Sequence, residues 1–238
     1  VKWSFEVPSY SFDVTGAAVV KILDIIKNCS PRTKFFQPFS SNIFGNSSKK
    51  TQNETEEFSP LSIYALGKVT AYFACQLYRD IHGLKIYGAI FYNHESEIRP
   101  EEYVTRKITK SVAKIYYGKQ NKLYLGDIKA KIDWGYAKDY VKAAYKIMQL
   151  SKPDVFVIGS GTSYSVEHFA KKCFQYVGLN YKKYLRVNKK LLRPSKTVSL
   201  IGDSTKAKKT FNFKIETNLD KIVSIMMDND LKIEMNEK

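Results

Sequence analysis

Between residues 11 and 92 the spacing of apolar side chains alternates between a helical and a strand-like period, and a chain that alternates in this way has few folds open to it. Phe12, Val19, Ile22, Leu23, Ile25 and Ile26 recur at helical spacing until Asn28 to Pro31 stop the run. Lys34 to Phe39 then reads as a short buried strand entering a small-residue turn. Residues 45 to 57 are polar and turn-rich and predict an exposed loop. Ser59 and Ser62 flank Pro60 ahead of a long helix from about 63 to 82, and Leu84 to Tyr92 has the branched texture of a buried strand. Helix, strand, helix, strand implies a parallel sheet, and open α/β sheets bind ligands at the carboxyl ends of their strands. Ser40 and Ser41 sit at one such end and Asn93-His94-Glu95-Ser96 at another.

After Arg99 the pattern predicts a helix near 104 to 117, a strand at Lys122 to Leu125, a loop from Gly126 to Gly135 and a helix from 137 to 150. Asp154 to Ile158 reads as a further core strand. Gly159-Ser160-Gly161 lacks the third glycine of a phosphate loop, and Ser165 ahead of Val166-Glu167-His168 reads as an ordinary helix cap. Arg193-Pro194 and Gly202 to Ala207 precede an amphipathic helix near 217 to 229.

A content of 44% hydrophobic residues suffices for a packed core. No apolar run approaches the roughly 18 residues of a membrane span, so no membrane association and a cytoplasmic location are expected. The net charge of +16 admits a nucleic-acid partner, but lysines such as Lys138, Lys142 and Lys146 are scattered rather than clustered, and none is expected. Cys29, Cys75 and Cys173 lack metal-ligand spacing, so neither a metal nor a disulfide is implied.

Tyr64 and Lys68 lie one helical turn apart on one face, which sets an ammonium beside a phenol. A free tyrosine ionises near pH 10, so service as a base at neutral pH needs about 4 kcal/mol of differential stabilisation. A neighbouring lysine supplies part of it.

Four stretches, Ile90 to Ser96, Tyr103 to Ile108, Asp133 to Val141 and Gly202-Asp203, join the Tyr64/Lys68 pair in resembling the GDP-mannose 4,6-dehydratase branch of the extended short-chain dehydrogenase/reductase family. The resemblance implies an α/β fold: a Rossmann-like parallel sheet, here lacking its first strands, with a smaller carboxyl-terminal α/β substrate lobe. It places a partial NADP-binding domain at 1–96 and a nucleotide-sugar lobe at 97–238, with 133–160 returning to the Rossmann sheet. It implies an NADP-dependent lyase that acts on a GDP-sugar and assembles as a homo-oligomer, dimer or tetramer. Tyr64 would be the base that takes the carbon 4 hydroxyl proton, Lys68 would lower its pKa and bind ribose, and Ser40 would hydrogen-bond the reacting hydroxyl. Tyr10, His94 and Arg99 fall where the family contacts the cofactor; Asn93, Lys107 and Arg193 would face the nucleotide sugar.

The chain also departs from that pattern. Asn42 stands at the position of the family's catalytic glutamate, and an amide cannot take a proton from carbon. Dehydration would then need Glu95 or a water as its base. Otherwise the chain would be a reductase or epimerase of the same family, or an inactive homologue. Ile132 replaces an arginine on the diphosphate, and Lys196 replaces a glutamate near the nucleotide. No glycine-rich strand-to-helix turn precedes the first helix, so a fragment of a longer chain, or a split or decayed gene product, is expected.

Overall fold

A computed structural model of the chain describes residues 3–192 and 199–236. Helices α1 (Trp3–Glu6), α2 (Pro8–Phe12) and α3 (Ala18–Cys29) lead into strand β1 (Phe35–Ser40), with a π-helical turn at Asp13–Ala17 between α2 and α3. Helix α4 (Ile63–His82) and strands β2 (Ile86–Phe91) and β3 (Asn93–Glu95) follow. Next come α5 (Val104–Tyr116), β4 (Leu123–Leu125), β5 (Lys131–Tyr136), α6 (Ala137–Met148) and β6 (Val155–Ile158). The chain continues through β7 (Ser163–Ser165), α7 (Val166–Tyr176), α8 (Tyr181–Tyr184), β8 (Leu185–Val187), α9 (Thr205–Phe211) and α10 (Leu219–Asn236).

The chain divides into two compact units, Val1–Tyr92 with Tyr140–Gly161 and Leu200–Lys214, and Asn93–Asp139 with Thr162–Ser199 and Ile215–Lys238. The return to the first unit therefore begins at Tyr140 rather than 133, and Leu200–Lys214 is a second return that the sequence pattern does not mark.

In the first unit β1, β2 and β6 form a parallel sheet in the order β1-β2-β6, with Ser40 in register with Phe91. Every residue from Ile86 to Ile90 and from Val155 to Ile158 is buried, as expected of strands covered on both faces. Helix α4 starts where the Ser62 hydroxyl accepts the Ala65 N–H at 3.1 Å and stops at left-handed Gly83. It buries the small residues Ala65, Gly67, Ala71, Ala74 and Cys75, which lets its backbone approach its neighbours closely. The 45–57 segment is largely exposed, as its polarity predicts, with Gln52 as its buried anchor. Gln52 is fully buried; its Oε1 accepts from the Tyr92 hydroxyl at 3.0 Å and from the Ile201 N–H at 3.0 Å, and its Nε2 donates to the Lys49 carbonyl at 2.7 Å. A buried amide with its bonds satisfied pins a loop that composition alone calls solvated.

The second unit contains a strand where a loop is expected. Residues 131–133 pair antiparallel with β7 and residues 134–136 pair in parallel with β3, so Asp133-Trp134-Gly135 is strand rather than loop. Aspartate and glycine disfavour strands, and pairing of Asp133 with Ser163 and of Gly135 with His94 overrides that preference. Trp134 packs on Phe169 in a core with Ile108, Val112, Phe174, Ile222 and Met226. Ser165 caps α7 as expected, accepting the His168 N–H at 3.0 Å. Helix α10 runs to Asn236, well past 229, because Asp230 is drawn inside by an ion pair with Arg106 at 2.7 Å.

Arg106 is 7% and Asp230 1% exposed, so removal of either partner strands a buried charge. Asp230→Ala is expected to lower the unfolding free energy by about 3–5 kcal/mol, and the double replacement Arg106→Met/Asp230→Leu by much less. Denaturant unfolding of the set checks this.

Candidate active site

The carboxyl end of β1 turns into a 3₁₀ turn at Ser41–Phe44. Ser40 caps that turn: its Oγ accepts from the Asn42 backbone N–H at 3.3 Å and from Asn42 Nδ2 at 3.0 Å. With both acceptor positions used, the Ser40 O–H is left to donate outward. Gly45 closes the turn at φ +46, where an added Cβ would lie 1.7 Å from the Ser59 carbonyl oxygen. Only glycine fits there.

Tyr64 and Lys68 occupy the first two turns of α4, both half-buried, with the Lys68 Nζ 5.9 Å from the centre of the Tyr64 ring. The same Nζ donates to the Pro38 carbonyl at 2.9 Å, which ties Lys68 to the strand that ends in Ser40. One of three ammonium N–H bonds is thereby used and two remain for a ligand. Burial pushes the Lys68 amine below the usual lysine range. A desolvated ammonium also acts on a neighbouring phenol more strongly than one in bulk water. Tyr10 belongs to the same unit, on the exposed surface of α2.

In the second unit Asn93 and His94 lie on β3, Asn93 exposed and His94 half-buried. Glu95, the next residue, is 1% exposed and accepts the Thr105 hydroxyl. Its Oε2 also pairs with Arg99 Nε at 3.2 Å. Arg99 stacks on the Tyr103 ring at 3.9 Å and donates to the His94 carbonyl. Glu95 is thus a structural anchor for Arg99 and has no open face on which to act as the missing base. Burial raises its pKa, with Arg99 and Thr105 opposing. Lys107 is half-buried on α5, and Ile132 is packed against the core from β5. Arg193 and Lys196 lie outside the described residues.

The structure brings Ser40, Asn42, Tyr64 and Lys68 into one unit around the end of β1 and the start of α4. Asn93, His94, Arg99 and Lys107 group in the other. Sequence reasoning missed the residues that hold the second group in place. Thr105 fixes Glu95, and Arg106 donates to the Glu97 carbonyl and to the Arg99 carbonyl, the latter at 3.2 Å. The signal was present as an arginine and two threonines on the buried face of α5.

Comparison with known proteins follows the same lines. The family profile described as GDP-mannose 4,6 dehydratase matches residues 1–226. The chain is 39% identical to GDP-mannose 4,6 dehydratase 2 of Arabidopsis thaliana, over 99% of this chain and 64% of that one. It is 36% identical to the GDP-mannose 4,6 dehydratase of Homo sapiens, over 98% of this chain and 68% of that one. It therefore spans about two thirds of the length of these curated relatives. Among solved structures, RMD from Pseudomonas aeruginosa complexed with NADPH superposes with a TM-score of 0.88 at 16% identity, covering 98% of this chain and 78% of that one. The dTDP-glucose 4,6-dehydratase of Bacillus anthracis, in complex with NAD, gives 0.81 at 17% identity, covering 95% and 69%. These similarities establish the Rossmann-type α/β fold.

Proposed function

This chain belongs to the GDP-mannose 4,6-dehydratase family, and we propose that it serves a nucleotide-sugar dehydratase that converts GDP-mannose to its 4-keto-6-deoxy form. The observation that carries the reading is Lys68 held at 2.9 Å on the Pro38 carbonyl with its amine 5.9 Å from the Tyr64 ring centre. The two free N–H bonds of Lys68 suit the paired hydroxyls of a nicotinamide ribose, so the residues present fit NADP. When bound, NADP would accept a hydride from carbon 4 and return it at carbon 6. Tyr64 takes the proton from the carbon 4 hydroxyl and Lys68 stabilises the phenolate that does so. Ser40 donates its O–H to the oxygen that becomes a carbonyl. Tyr10, His94 and Arg99 are read as further cofactor contacts, and Asn93, Lys107 and Arg193 as contacts to the nucleotide sugar.

Asn42 leaves the carbon 5 proton without a side-chain base, and Glu95 is engaged elsewhere, so water removes it and elimination is the slow step. No described helix is long and apolar enough to cross a membrane, and we place the protein in the cytoplasm. A homo-oligomer is supported by Leu66, Phe73, Leu77 and Ile81, which leave an exposed apolar face along α4.

A pH profile tests the base. Removing the Lys68 charge raises the Tyr64 pKa, so Lys68→Met is expected to move the rising limb of turnover to higher pH. An unmoved limb would remove Tyr64 from the role.

A further inference from the structure

Helix α4 crosses the π-helical turn Asp13–Ala17, where the Gly16 backbone lies against the Gly67 backbone and the Thr15 side chain lies beside Gly67. A Cβ added to Gly16 would meet the Gly67 Cα and carbonyl oxygen, each at 3.1 Å. A Cβ added to Gly67 would lie 2.2 Å from Thr15 Oγ1 and 3.2 Å from Thr15 Cβ. Thr15 cannot readily swing aside, because its hydroxyl donates to the Ser11 carbonyl at 2.6 Å. The wider π turn presents Gly16 and Thr15 to α4, and π-helical turns often mark places where function fixes the backbone. Gly67 is the residue directly before Lys68, so the height at which α4 rests on this turn sets how far the Lys68 amine reaches toward Pro38.

We propose that this crossing is a positioning device for the Tyr64 and Lys68 pair, with Gly67, Gly16 and Thr15 as positioning residues. The inference rests on the reading of Tyr64 and Lys68 as the reacting pair, but its test needs no turnover. A methyl group at position 67 would overlap the Thr15 side chain, whose hydroxyl is held on the Ser11 carbonyl, so α4 is pushed away from the turn. Lys68 then leaves the Pro38 carbonyl and gains water. The amine lies 2.9 Å from the Pro38 carbonyl and 5.9 Å from the centre of the Tyr64 ring, Cys75 also acts on its charge, and none of these residues is substituted in the variant.

The experiment uses Gly67→Ala, Thr15→Gly and the double variant in the full-length protein. The titration of Lys68 is followed by NMR of isotopically labelled lysine, alongside thermal melting. Gly67→Ala is expected to move the Lys68 titration up toward that of an ordinary lysine and to lower the melting temperature. Alanine for glycine inside an unobstructed helix does the reverse to stability. The double variant removes the hydroxyl and Cβ that the new methyl would strike, so it should return both readouts toward those of Thr15→Gly alone. In turnover, Gly67→Ala should lose about 10²-fold in kcat, the usual consequence of misplacing a reacting group by about 1 Å.

A more stable Gly67→Ala with unchanged Lys68 titration would overturn the proposal. So would a destabilised Gly67→Ala in which Lys68 titrates as before, since the crossing would then be structural only. If Gly67→Ala does not fold, a folded double variant with the parent titration supports the proposal, and a double variant that is no better overturns it. Failure of the dehydratase reading would show as absent product with the Lys68 shifts intact.

Discussion

Asn42→Glu is expected to raise the rate of dehydration by about 10²–10⁴-fold, the range over which a well-placed general base acts. Asn42 is exposed on the turn that follows Ser40, so a glutamate there enters solvent rather than a packed core. Surface changes of this kind normally alter stability by less than about 0.5 kcal/mol, and the gain should therefore appear in kcat with the fold intact. The chemistry follows from the donor inventory. The Asn42 amide gives its N–H to Ser40 and has no basic site, whereas a carboxylate can take the carbon 5 proton. Exchange of that proton with solvent should accelerate in step with product formation. A variant that binds substrate and gains nothing would place the base elsewhere.

Tyr64→Phe is expected to lower turnover by about 10²–10⁴-fold while leaving the melting temperature and the affinity for a GDP-sugar near the parent values. The ring remains to pack, and the hydroxyl that is lost belongs to a half-buried residue in the first turn of α4. Comparing kcat with KM in the variant separates a lost transition-state interaction from weakened binding, because only the former lowers kcat with KM unchanged. A fall confined to KM would make Tyr64 a binding residue only.

Much of this is legible in the sequence. The apolar periods of the first half lead to α3, β1, α4 and β2, strong local patterns of which the first is bounded by the stop at Asn28 to Pro31. The tyrosine and lysine spacing located the pair, and the chemistry of Asn42 could be read from its side chain alone. What stayed hidden depends on contacts distant in sequence. β5 is a strand because β3 and β7 flank it, and its aspartate and glycine carry no such signal. Gln52 is polar and lies in a turn-rich stretch, yet burial against Tyr92 and Ile201 makes it an anchor. Glu95 looked free to serve as a base until Arg99 and Thr105 were found on it, a pairing that no spacing rule supplies. The π-helical turn is invisible in the sequence, because helical spacing does not register one residue of local widening.

The most direct test is to incubate the full-length protein with GDP-mannose and NADP in deuterated water and to weigh the product. Internal redox with elimination yields a nucleotide sugar lighter than the substrate by one water and carrying one solvent deuteron at carbon 5. A product of unchanged composition that carries deuterium, or no conversion at all with substrate bound, would contradict dehydration at Tyr64, Lys68 and Ser40.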